Sequence, residues 1–448
     1  MTHESPAPDR TEMLALSLPS FVFSGYELAR KTYLPVLLAG TVGVDMAGLI
    51  LTIVGTWSIL IEVLFGMVCD LAPDPQRRRS FWVAAGTVLQ WAGGLILWFT
   101  PPLGRSPFVW LLGLLPLASG WVMSNLAHGA WALERSSGIV ARGRIFGARA
   151  QAGMAGSILF AMALLLSRHQ AKAPDDFYVI LLLTMAGAPL VHGWLIWRVR
   201  ERDGTGSSRL DWAGTLKPFQ VCIAAAADRW LAALFLLVGA HMAVIGSSFL
   251  FIARHRLELP EWGTPGVLIQ ALAAMIGTGI APRLLRHVPP LRMLGAVFGI
   301  NLALALALPW LPAGQVLPLM AWSAGTGGTL AVDFMLLRVV LGQRLDHYHQ
   351  RDGDAPAAAF YAGFHLPFNI GAVVGTALLF RGLAWIGLGG ADHAAGLAWL
   401  TCGMAGLFLV LAMGFILMLR QALRVEGRYE PAPFKLNNCI SKPIKSLL

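Results

Sequence analysis

Long apolar segments alternate with short polar breaks along most of this chain. A helix that crosses a hydrocarbon core of about 30 Å needs about 20 mostly apolar residues. Segments of that length are centred near residues 28, 55, 90, 120, 155, 187, 237, 270, 300, 327, 370 and 408. The pattern therefore predicts twelve membrane-spanning helices.

The charge of the breaks alternates in the same order. The breaks after the second, fourth, sixth, eighth and tenth segments are rich in arginine, at 74–79, 134–149, 198–217, 283–292 and 338–351. The breaks after odd-numbered segments, such as 101–107 and 167–176, carry at most two cations. Because cytoplasmic loops carry an excess of Lys and Arg, we predict a multi-pass protein of the cytoplasmic (inner) membrane with both termini cytoplasmic.

The composition agrees with a lipid environment. Hydrophobic residues make up 56% and charged residues 13% of the 448 residues, whereas an average soluble domain has about 25% charged residues. The mean hydropathy is +0.64. The basic breaks account for the net charge of +10, so we predict the lipid bilayer as a partner and no nucleic acid.

Several kinds of chemistry lack candidates in the sequence. The first twelve residues have no basic region followed by a short apolar run and a cleavage site, so no signal peptide is predicted. The four cysteines, Cys69, Cys222, Cys402 and Cys439, show no metal-ligand or redox spacing. There is no serine nucleophile elbow, HExxH motif or His-rich cytoplasmic cluster. We therefore predict no bound metal, no cofactor and no enzyme activity. The alternative is that the chain is another kind of twelve-helix membrane protein, such as a polytopic enzyme.

The longest polar break, 198–209, divides the predicted spans six and six. We predict a first six-helix half at 1–200, a cytoplasmic linker at 201–217, a second six-helix half at 218–425 and a basic cytoplasmic tail at 426–448. This layout is that of the major facilitator fold, in which two parallel halves enclose a midplane binding site and rock about it. The predicted fold class is thus an all-α polytopic membrane protein.

The second span resembles a motif of a transporter family. It contains Trp57, Glu62, Gly66 and Asp70, and the arginine cluster 77–79 follows. A small residue four positions before an acid, followed by arginines, resembles the conserved loop of the major facilitator superfamily. Within it, the segment is most similar to helix two of the glycoside-pentoside-hexuronide:cation symporters, the melibiose permease group, which reads W-D-x-x-x-D-P-x-x-G.

The fourth and eleventh spans carry further likenesses to this family. The segment from Asn125 to Glu134 is similar to N-I-P-Y-x-A-L-x-x-E-L, and Arg142 and Arg149 follow at the interval of the family's arginine pair. Residues 360–371 resemble its helix-eleven pattern, in which a lysine stands where this chain has Asn369. The order and spacing of the three motifs carry the resemblance.

The resemblance implies entry of a sugar together with sodium, lithium or protons, which the family couples through acidic side chains on helices one, two and four. Here Ser58, Glu62 and Val63 stand where helix two of the family has its two aspartates and its proline, and Asn125 replaces the acid of helix four. A hard cation such as sodium needs several oxygen ligands. We therefore expect coupling to a proton through Glu62, with Ser58 and Asn125 as further candidates; sodium is the alternative ion.

The first span carries three charges in an otherwise apolar segment. Glu27 lies three positions before Arg30 and four before Lys31, so the three side chains share one helical face and can pair. Charged residues at membrane depth usually face a bundle interior or a water cavity. We predict that this group lines the cavity and that Glu27 and Lys31 contribute to cation coupling. The alternative is that the span begins nearer residue 31, with Glu27 and Arg30 among the lipid headgroups.

The remaining candidates form a substrate-binding group and a gate. Aromatic faces, amides and imidazoles suit a sugar; the substrate-binding candidates are Trp57, Asn125, His128, Trp131, His365 and Asn369. The candidates for a cytoplasmic gate are Asp70, Arg77, Arg78, Arg79, Glu134, Arg142 and Arg149. For both groups the alternative is a structural role, in helix packing or in a solvated loop. Two more acids are expected to form structural ion pairs or gate contacts: Asp333 with Arg338, and Asp228 with Arg229.

These patterns predict a monomeric secondary active transporter that moves a small polar organic solute, such as a sugar or glycoside, by alternating access. A lipid or lysolipid transporter of the same fold is one alternative. The other is a non-transporting membrane assembly factor, like the light-harvesting-complex assembly proteins.

Overall fold

The structure is a computed structural model that describes residues 9–69, 77–99, 106–135, 138–167, 176–201, 225–352, 357–387 and 393–426. Asp70, the linker beyond Glu201 and the tail beyond residue 426 lie outside the described residues, as do the side chains of Glu134 and Arg142. The predictions made for them stay predictions.

Helices make up both halves. In the first half the elements are α1 Arg10–Leu28, a π-helical segment Ala29–Tyr33, α2 Leu34–Val42, α3 Val44–Val68, α4 Arg78–Trp98, α5 Pro107–Glu134, α6 Gly138–Ser167 and α7 Asp176–Arg198. In the second half they are α8 Ala226–Phe251, a π-helical segment Ile252–Arg256, a 3₁₀ turn Pro260–Trp262, α9 Gly263–Leu284, α10 Pro290–Ala307, a 3₁₀ turn Leu308–Trp310, α11 Val316–Asp352, α12 Ala357–Ile386 and α13 His393–Val425.

Eleven helices among the described residues are long and apolar enough to cross a membrane. The twelfth predicted span is the continuous rod of α1, the first π segment and α2, in which charges interrupt the apolar run. It begins at the N-cap Asp9, whose carboxylate accepts a hydrogen bond from the backbone N–H of Glu12 (2.6 Å). That bond lowers the pKa of Asp9. The all-α architecture with twelve predicted spans is confirmed.

The helices on either side of 202–224 pack in the same pairwise pattern. In the first half α1 packs on α6 and α7, α3 and α4 both pack on α5, and α4 packs on α7. In the second half α8 packs on α12 and α13, α9 and α10 both pack on α11, and α10 packs on α13. Since the order of the helices is also the same, each half repeats the packing of the other.

The apolar core is shared at one end of the bundle and divided at the other. We call the end at which α1 begins and α13 ends the basic end, because the arginine-rich breaks lie there. Near the opposite end, a single cluster joins both halves, with Leu38 and Trp110 from the first and Phe380 from the second. Toward the basic end, the first half has its own core around Trp131 and the second around Phe364. The halves are therefore closed against each other at the opposite end.

Close packing of α8 on α12 depends on glycine. A Cβ on Gly239 would overlap the carbonyl oxygen of Phe368, and a Cβ on Gly371 would overlap that of Leu236. Small residues let membrane helices approach this closely. Nothing lies within 4 Å of a Cβ built on Gly246, two turns along α8 from Gly239.

We expect Gly239→Ala to destabilise the protein, because the added methyl group forces α8 and α12 apart. Overpacking of this kind costs about 1–3 kcal/mol. The matched control is Gly246→Ala on the same helix, which meets open space. The measurement is the apparent Tm of purified protein in detergent; equal Tm values for the two variants would contradict the packing described here.

Candidate functional site

One carboxylate of the first half is hydrogen-bonded to two side chains of the second half. Glu62 of α3 accepts a hydrogen bond at Oε2 from Nδ2 of Asn369 on α12 (2.6 Å), and its Oε1 lies 3.1 Å from Nδ1 of His365. The carboxylate and the imidazole are partly exposed, 17% and 27% respectively. We call Glu62, His365 and Asn369 the bridge cluster. It joins residues predicted separately for cation coupling and for substrate binding.

The bridge cluster continues a contact that follows α3 and α12 along their length. A Cβ on Gly48 would lie 2.5 Å from Cβ of Phe380, and a Cβ on Gly55 would lie 3.7 Å from Cβ of Val373. These α3 positions and Glu62 are spaced seven residues apart, so they lie on one helical face. The bridge cluster is thus the polar end of an otherwise apolar interface between the halves.

Polar side chains also connect the halves near the opposite end. Thr264 at the start of α9 accepts a hydrogen bond from the Tyr33 hydroxyl (3.2 Å) and donates one to Oδ2 of Asp176 (3.1 Å). Tyr33 and Asp176 belong to the first half, and Thr264 to the second. These bonds reinforce the closure made by the shared apolar core.

The first π segment supplies another contact between the halves. The carbonyl of Lys31 has no partner at position i+4, because Pro35 has no N–H. Ser247 of α8 donates a hydrogen bond to this carbonyl (3.5 Å). This bond adds a further contact between α8 and the first span.

The charges of the first span pair with one another, and this expectation is confirmed. Glu27 Oε2 lies 3.2 Å from a terminal nitrogen of Arg30 and also contacts Nζ of Lys31. Because α1 begins at Arg10, the group lies about five turns inside a continuous helix. The position of this group relative to the lipid headgroups stays a prediction. The roles of Glu27 and Lys31 in coupling stay predictions.

A small cavity lies beside this charged group. Arg30, Tyr26 and Thr184 line it, together with apolar side chains of α2, α3, α5 and α7. The Tyr26 ring stacks on Trp121, with 5.1 Å between ring centroids. The cavity volume is about 10 Å³, room for about one water molecule. In this conformation the cavity is too small to hold a solute.

The other candidates for coupling and substrate binding on α3 and α5 do not take part in the hydrogen bonds of the bridge cluster. Trp57, with 36% of its surface exposed, donates from Nε1 to the hydroxyl of Ser119 (2.8 Å). The Ser58 hydroxyl donates to the carbonyl of Val54 on its own helix (2.8 Å). Asn125 is half-buried on α5. Their functional roles stay predictions.

His128 and Arg149, predicted for different roles, contact each other. His128 is fully buried, with Nε2 2.8 Å from the carbonyl of Leu16 and Nδ1 3.2 Å from Nη2 of Arg149. A neutral imidazole with its proton on Nε2 satisfies both contacts. Arg149 also donates to Ser20 of α1 (3.3 Å), and Trp131 is buried in the core of the first half. In this conformation His128 and Arg149 connect α1, α5 and α6.

The arginines that begin α4 differ in their surroundings. Arg79 is buried and donates to the carbonyl of Cys69 (3.1 Å), whereas Arg77 is exposed and Arg78 half-buried. Glu201 accepts hydrogen bonds from the backbone N–H groups of Arg79 (2.9 Å) and of the next residue (2.7 Å). It thereby caps α4 from the segment after α7. Sequence reasoning missed Glu201; the only signal was an acid within a basic break.

The second half has a buried ionic group near the basic end. Asp228, 0% exposed, accepts hydrogen bonds from Nε (2.7 Å) and Nη2 (3.1 Å) of Arg344 and from the hydroxyl of Tyr348. Arg344 also donates to Glu426 (2.8 Å). The expected pairing of Asp228 with Arg229 is wrong, because adjacent residues of a helix do not face each other. Burial, and then the bond to Asp228, raise the pKa of Tyr348 to about 12, so its hydroxyl remains a donor.

We expect Tyr348→Phe to destabilise the second half, because the substitution removes one donor from a buried carboxylate. The cost is about 1.5–3 kcal/mol for a hydrogen bond to a charged group. The control is Arg198→Ala, which breaks the half-exposed pair of Arg198 with Asp9 (2.6 Å) and is expected to cost at most about 1 kcal/mol. The measurement is the apparent Tm in detergent; a larger loss for the control would contradict the assignment.

The expected pair of Asp333 with Arg338 is also wrong. Asp333 accepts a hydrogen bond from Nδ2 of Asn301 on α10 (3.2 Å). The guanidinium of Arg338 lies over the ring of Phe334, 4.2 Å from its centroid. Five residues separate the two side chains, so they leave α11 in different directions.

The described residues contain no group of three or more His, Cys, Asp or Glu side chains that could hold a metal ion. The bridge cluster combines one carboxylate, one imidazole and one amide. A carboxyl group and an imidazole can each carry a proton, so the cluster contains two groups with proton-binding chemistry.

Comparison with known proteins points to one family. A model of the family described as MFS/sugar transport protein matches residues 16–423. No curated protein sequence matches the chain significantly.

Solved transporter structures share the fold at low sequence identity. The nucleoside transporter NupG has a TM-score of 0.68 at 13% identity, over 91% of this chain and 98% of that one. A bacterial homologue of the human lysosomal transporter Spinster, inward-facing and unoccupied, has a TM-score of 0.64 at 14% identity, over 95% of this chain and 100% of that one. A bacterial homologue of the iron transporter ferroportin, outward-facing, has a TM-score of 0.59 at 14% identity, over 92% and 100%.

Proposed function

This chain belongs to the MFS/sugar transport protein family, and on that premise we propose that it is a proton-coupled secondary transporter of a small polar organic solute, most simply a sugar or glycoside. The family and the similar structures are those of transporters. This agrees with the prediction that the chain is not an enzyme. The assignment to the glycoside-pentoside-hexuronide:cation group, the cytoplasmic membrane, the cytoplasmic termini and the monomeric state belong to the proposal.

The observation that carries the proposal is the bridge cluster. Glu62 is the acid of the helix-two motif, and its partners His365 and Asn369 belong to the helix-eleven motif. A proton-binding group that contacts both halves can bias their relative position, because its protonation changes the free energy of that contact. The sequence motif and the contact between the halves thus converge on one carboxylate.

The bridge cluster gives a direct coupling mechanism. An ionised Glu62 holds Asn369 and His365 through charge-assisted hydrogen bonds. Protonation removes the charge and weakens these bonds, so the halves are free to separate at the basic end while the opposite end remains closed. Loss of the proton to the cytoplasm restores the bridge. A proton that enters from outside would in this way promote release of the solute inside.

Side chains near the same interface suit a sugar. Trp57 presents a partly exposed indole on α3, about one and a half turns from Glu62 and on a different side of the helix, with Nε1 bonded to Ser119 of α5. Planar aromatic faces with a few placed polar groups are a common form of small-molecule site. We place the solute beside the bridge cluster when the halves open, and the contact with the Trp57 indole stays a prediction.

Uptake by the purified protein in liposomes tests the proposal. A panel of mono- and disaccharides is offered under an inward acid pH gradient, and then under a sodium gradient at constant pH. We expect uptake of at least one sugar under the pH gradient only. Uptake driven by sodium would overturn the choice of ion, and no uptake of any sugar by folded protein would overturn the solute class and favour a lipid solute.

A further inference from the structure

A second buried carboxyl group lies within the other half of the protein. Asp333 of α11 is 0% exposed, and its Oδ2 accepts one hydrogen bond, from Nδ2 of Asn301. Its Oδ1 is buried and has no hydrogen-bond partner in the part of the chain that the structure describes. A buried carboxylate usually pairs with a cation or accepts several hydrogen bonds. The backbone N–H of Phe334 also interacts with this carboxylate, but both donors are neutral, which is a poor environment for a full negative charge.

The hydrogen bonds around Asn301 can provide an acceptor for a proton on the carboxyl group of Asp333. The Thr329 hydroxyl contacts Oδ1 of Asn301 and also lies 2.8 Å from the carbonyl of Gly325, but a hydroxyl has only one hydrogen to donate. Turning the Asn301 amide by half a rotation exchanges its oxygen and nitrogen. Nδ2 then donates to Thr329, Thr329 donates to Gly325, and the amide oxygen accepts a proton carried on Oδ2 of Asp333. Each of the three hydrogen bonds then has one donor and one acceptor, and no charge is buried.

The site lies at the centre of the second half. A small apolar cluster joins four helices there: Ile245 of α8, Ala305 of α10, Leu330 of α11 and Ala405 of α13. One turn nearer the basic end on three of these helices are His241, Asn301 and Asp333. His241 is 2% exposed, and its Nδ1 has no partner among the described residues. This layer therefore contains two buried titratable groups.

Aromatic rings connect this layer to the bridge cluster. Phe334, the neighbour of Asp333, packs on Phe368 with 4.6 Å between ring centroids, and Phe368 stacks on His365 at 5.7 Å. Arg338 covers the other side of the Phe334 ring. Among the described side chains, the other charged groups of the surrounding helices toward the basic end are Asp228, Arg229, Arg283, Arg292, Arg344, Arg420 and Arg424. Asp228 and Arg344 pair with each other, and Arg283 and Arg292 are exposed.

We propose that Asp333 is a second proton-binding site, held by Asn301 and Thr329 inside the second half and separate from Glu62. This inference rests on the proposed transport function. The carboxylate takes a proton from water and becomes a neutral acid, whose O–H donates to the amide oxygen of Asn301. The proton returns to water when α10 and α11 part during the transport cycle. The chain then carries one proton site between its halves and one within the second half.

Infrared spectroscopy of the full chain in lipid tests the protonation of Asp333, because a protonated carboxyl has a C=O stretch that a carboxylate lacks. At pH 7 we expect a protonated-carboxyl band in the wild type that Asp333→Asn lacks and the matched control Glu62→Gln retains. Thr329→Val keeps the carboxyl group but breaks the hydrogen-bond chain, and is expected to shift this band. If Asp333→Asn does not fold, the shift in Thr329→Val decides the question. Spectra without a difference for either variant would overturn the proposal.

Deuterium exchange tests whether the proton is released during the cycle. A disulfide between Gly48→Cys and Phe380→Cys would hold the halves in the present conformation, in which Asp333 is sealed. In D₂O we expect the band to move to its deuterated position at least about tenfold more slowly in the oxidised pair than after reduction. Equal rates would mean that the proton is only structural and would overturn the proposal. No solute is needed, so failure of the uptake assay and failure of this proposal are distinguishable.

Discussion

Uptake is expected to stop when a disulfide joins Gly48→Cys in α3 to Phe380→Cys in α12, and to return when the disulfide is reduced. The two positions face each other near the closed end, where a Cβ on Gly48 would lie 2.5 Å from Cβ of Phe380. The two helices must part by about 1 Å to reach the ordinary Cβ separation in a disulfide. A transporter that works by alternating access must open this end to bind solute from outside.

Each single cysteine variant is the control for this prediction, since neither alone can join the halves. Cys69 and Cys402 are buried, free cysteines, Cys222 and Cys439 lie outside the described residues, and the same oxidant treatment of the singles accounts for all four. Solute uptake is measured in liposomes before and after oxidation, with the crosslink followed by gel mobility. Full uptake by completely crosslinked protein would contradict the view that the opposite end opens.

Glu62→Gln is expected to uncouple solute movement from the proton. Glutamine keeps the shape and a hydrogen-bonding oxygen but cannot bind and release a proton. Accumulation driven by a pH gradient should fall by about 5- to 150-fold, which corresponds to the loss of a coupling free energy of about 1–3 kcal/mol. Exchange of solute at equal pH on both sides should persist, because exchange needs no net proton movement.

The matched control for Glu62→Gln is Asp45→Asn. Asp45 is also a carboxylate of α3 that faces an α12 residue, Arg381 (3.8 Å), but the two side chains are 74% and 85% exposed. Such pairs contribute little, so gradient-driven accumulation should be unchanged. Asn369→Ala, alone and with Glu62→Gln, completes a double-mutant cycle. Additive effects on accumulation would show that the two side chains do not act together.

The fold could be predicted from the sequence because lipid imposes a simple length rule on apolar segments. The alternating charge of the breaks predicts on which side of the membrane each break lies, and this orientation stays a prediction. Apolarity alone finds eleven spans among the described residues, and the rod of α1 and α2 escapes it because Glu27, Arg30 and Lys31 lower its hydropathy. Counting these charges as an internally paired group restored the twelfth span.

The candidate site was less predictable, because contacts between helices depend on how each helix is rotated. The motif in α3 singled out Glu62, but its bond to His365 joins residues 303 positions apart. The chain has few charged residues, so few pairs of this kind were available. No periodic pattern in the sequence, however, linked Glu62 to His365. Asp228 shows the same limit. Sequence proximity suggested Arg229, whereas the structure pairs it with Arg344, 116 positions away.

The central claim is that solute and proton cross together. The most direct measurement is the change in external pH when a transported sugar is added to lightly buffered proteoliposomes that contain the wild-type protein, with no gradient imposed. We predict that the medium becomes more alkaline in proportion to the sugar taken up, and that Glu62→Gln moves sugar without this change. Sugar entry by the wild type with no movement of protons would contradict the account.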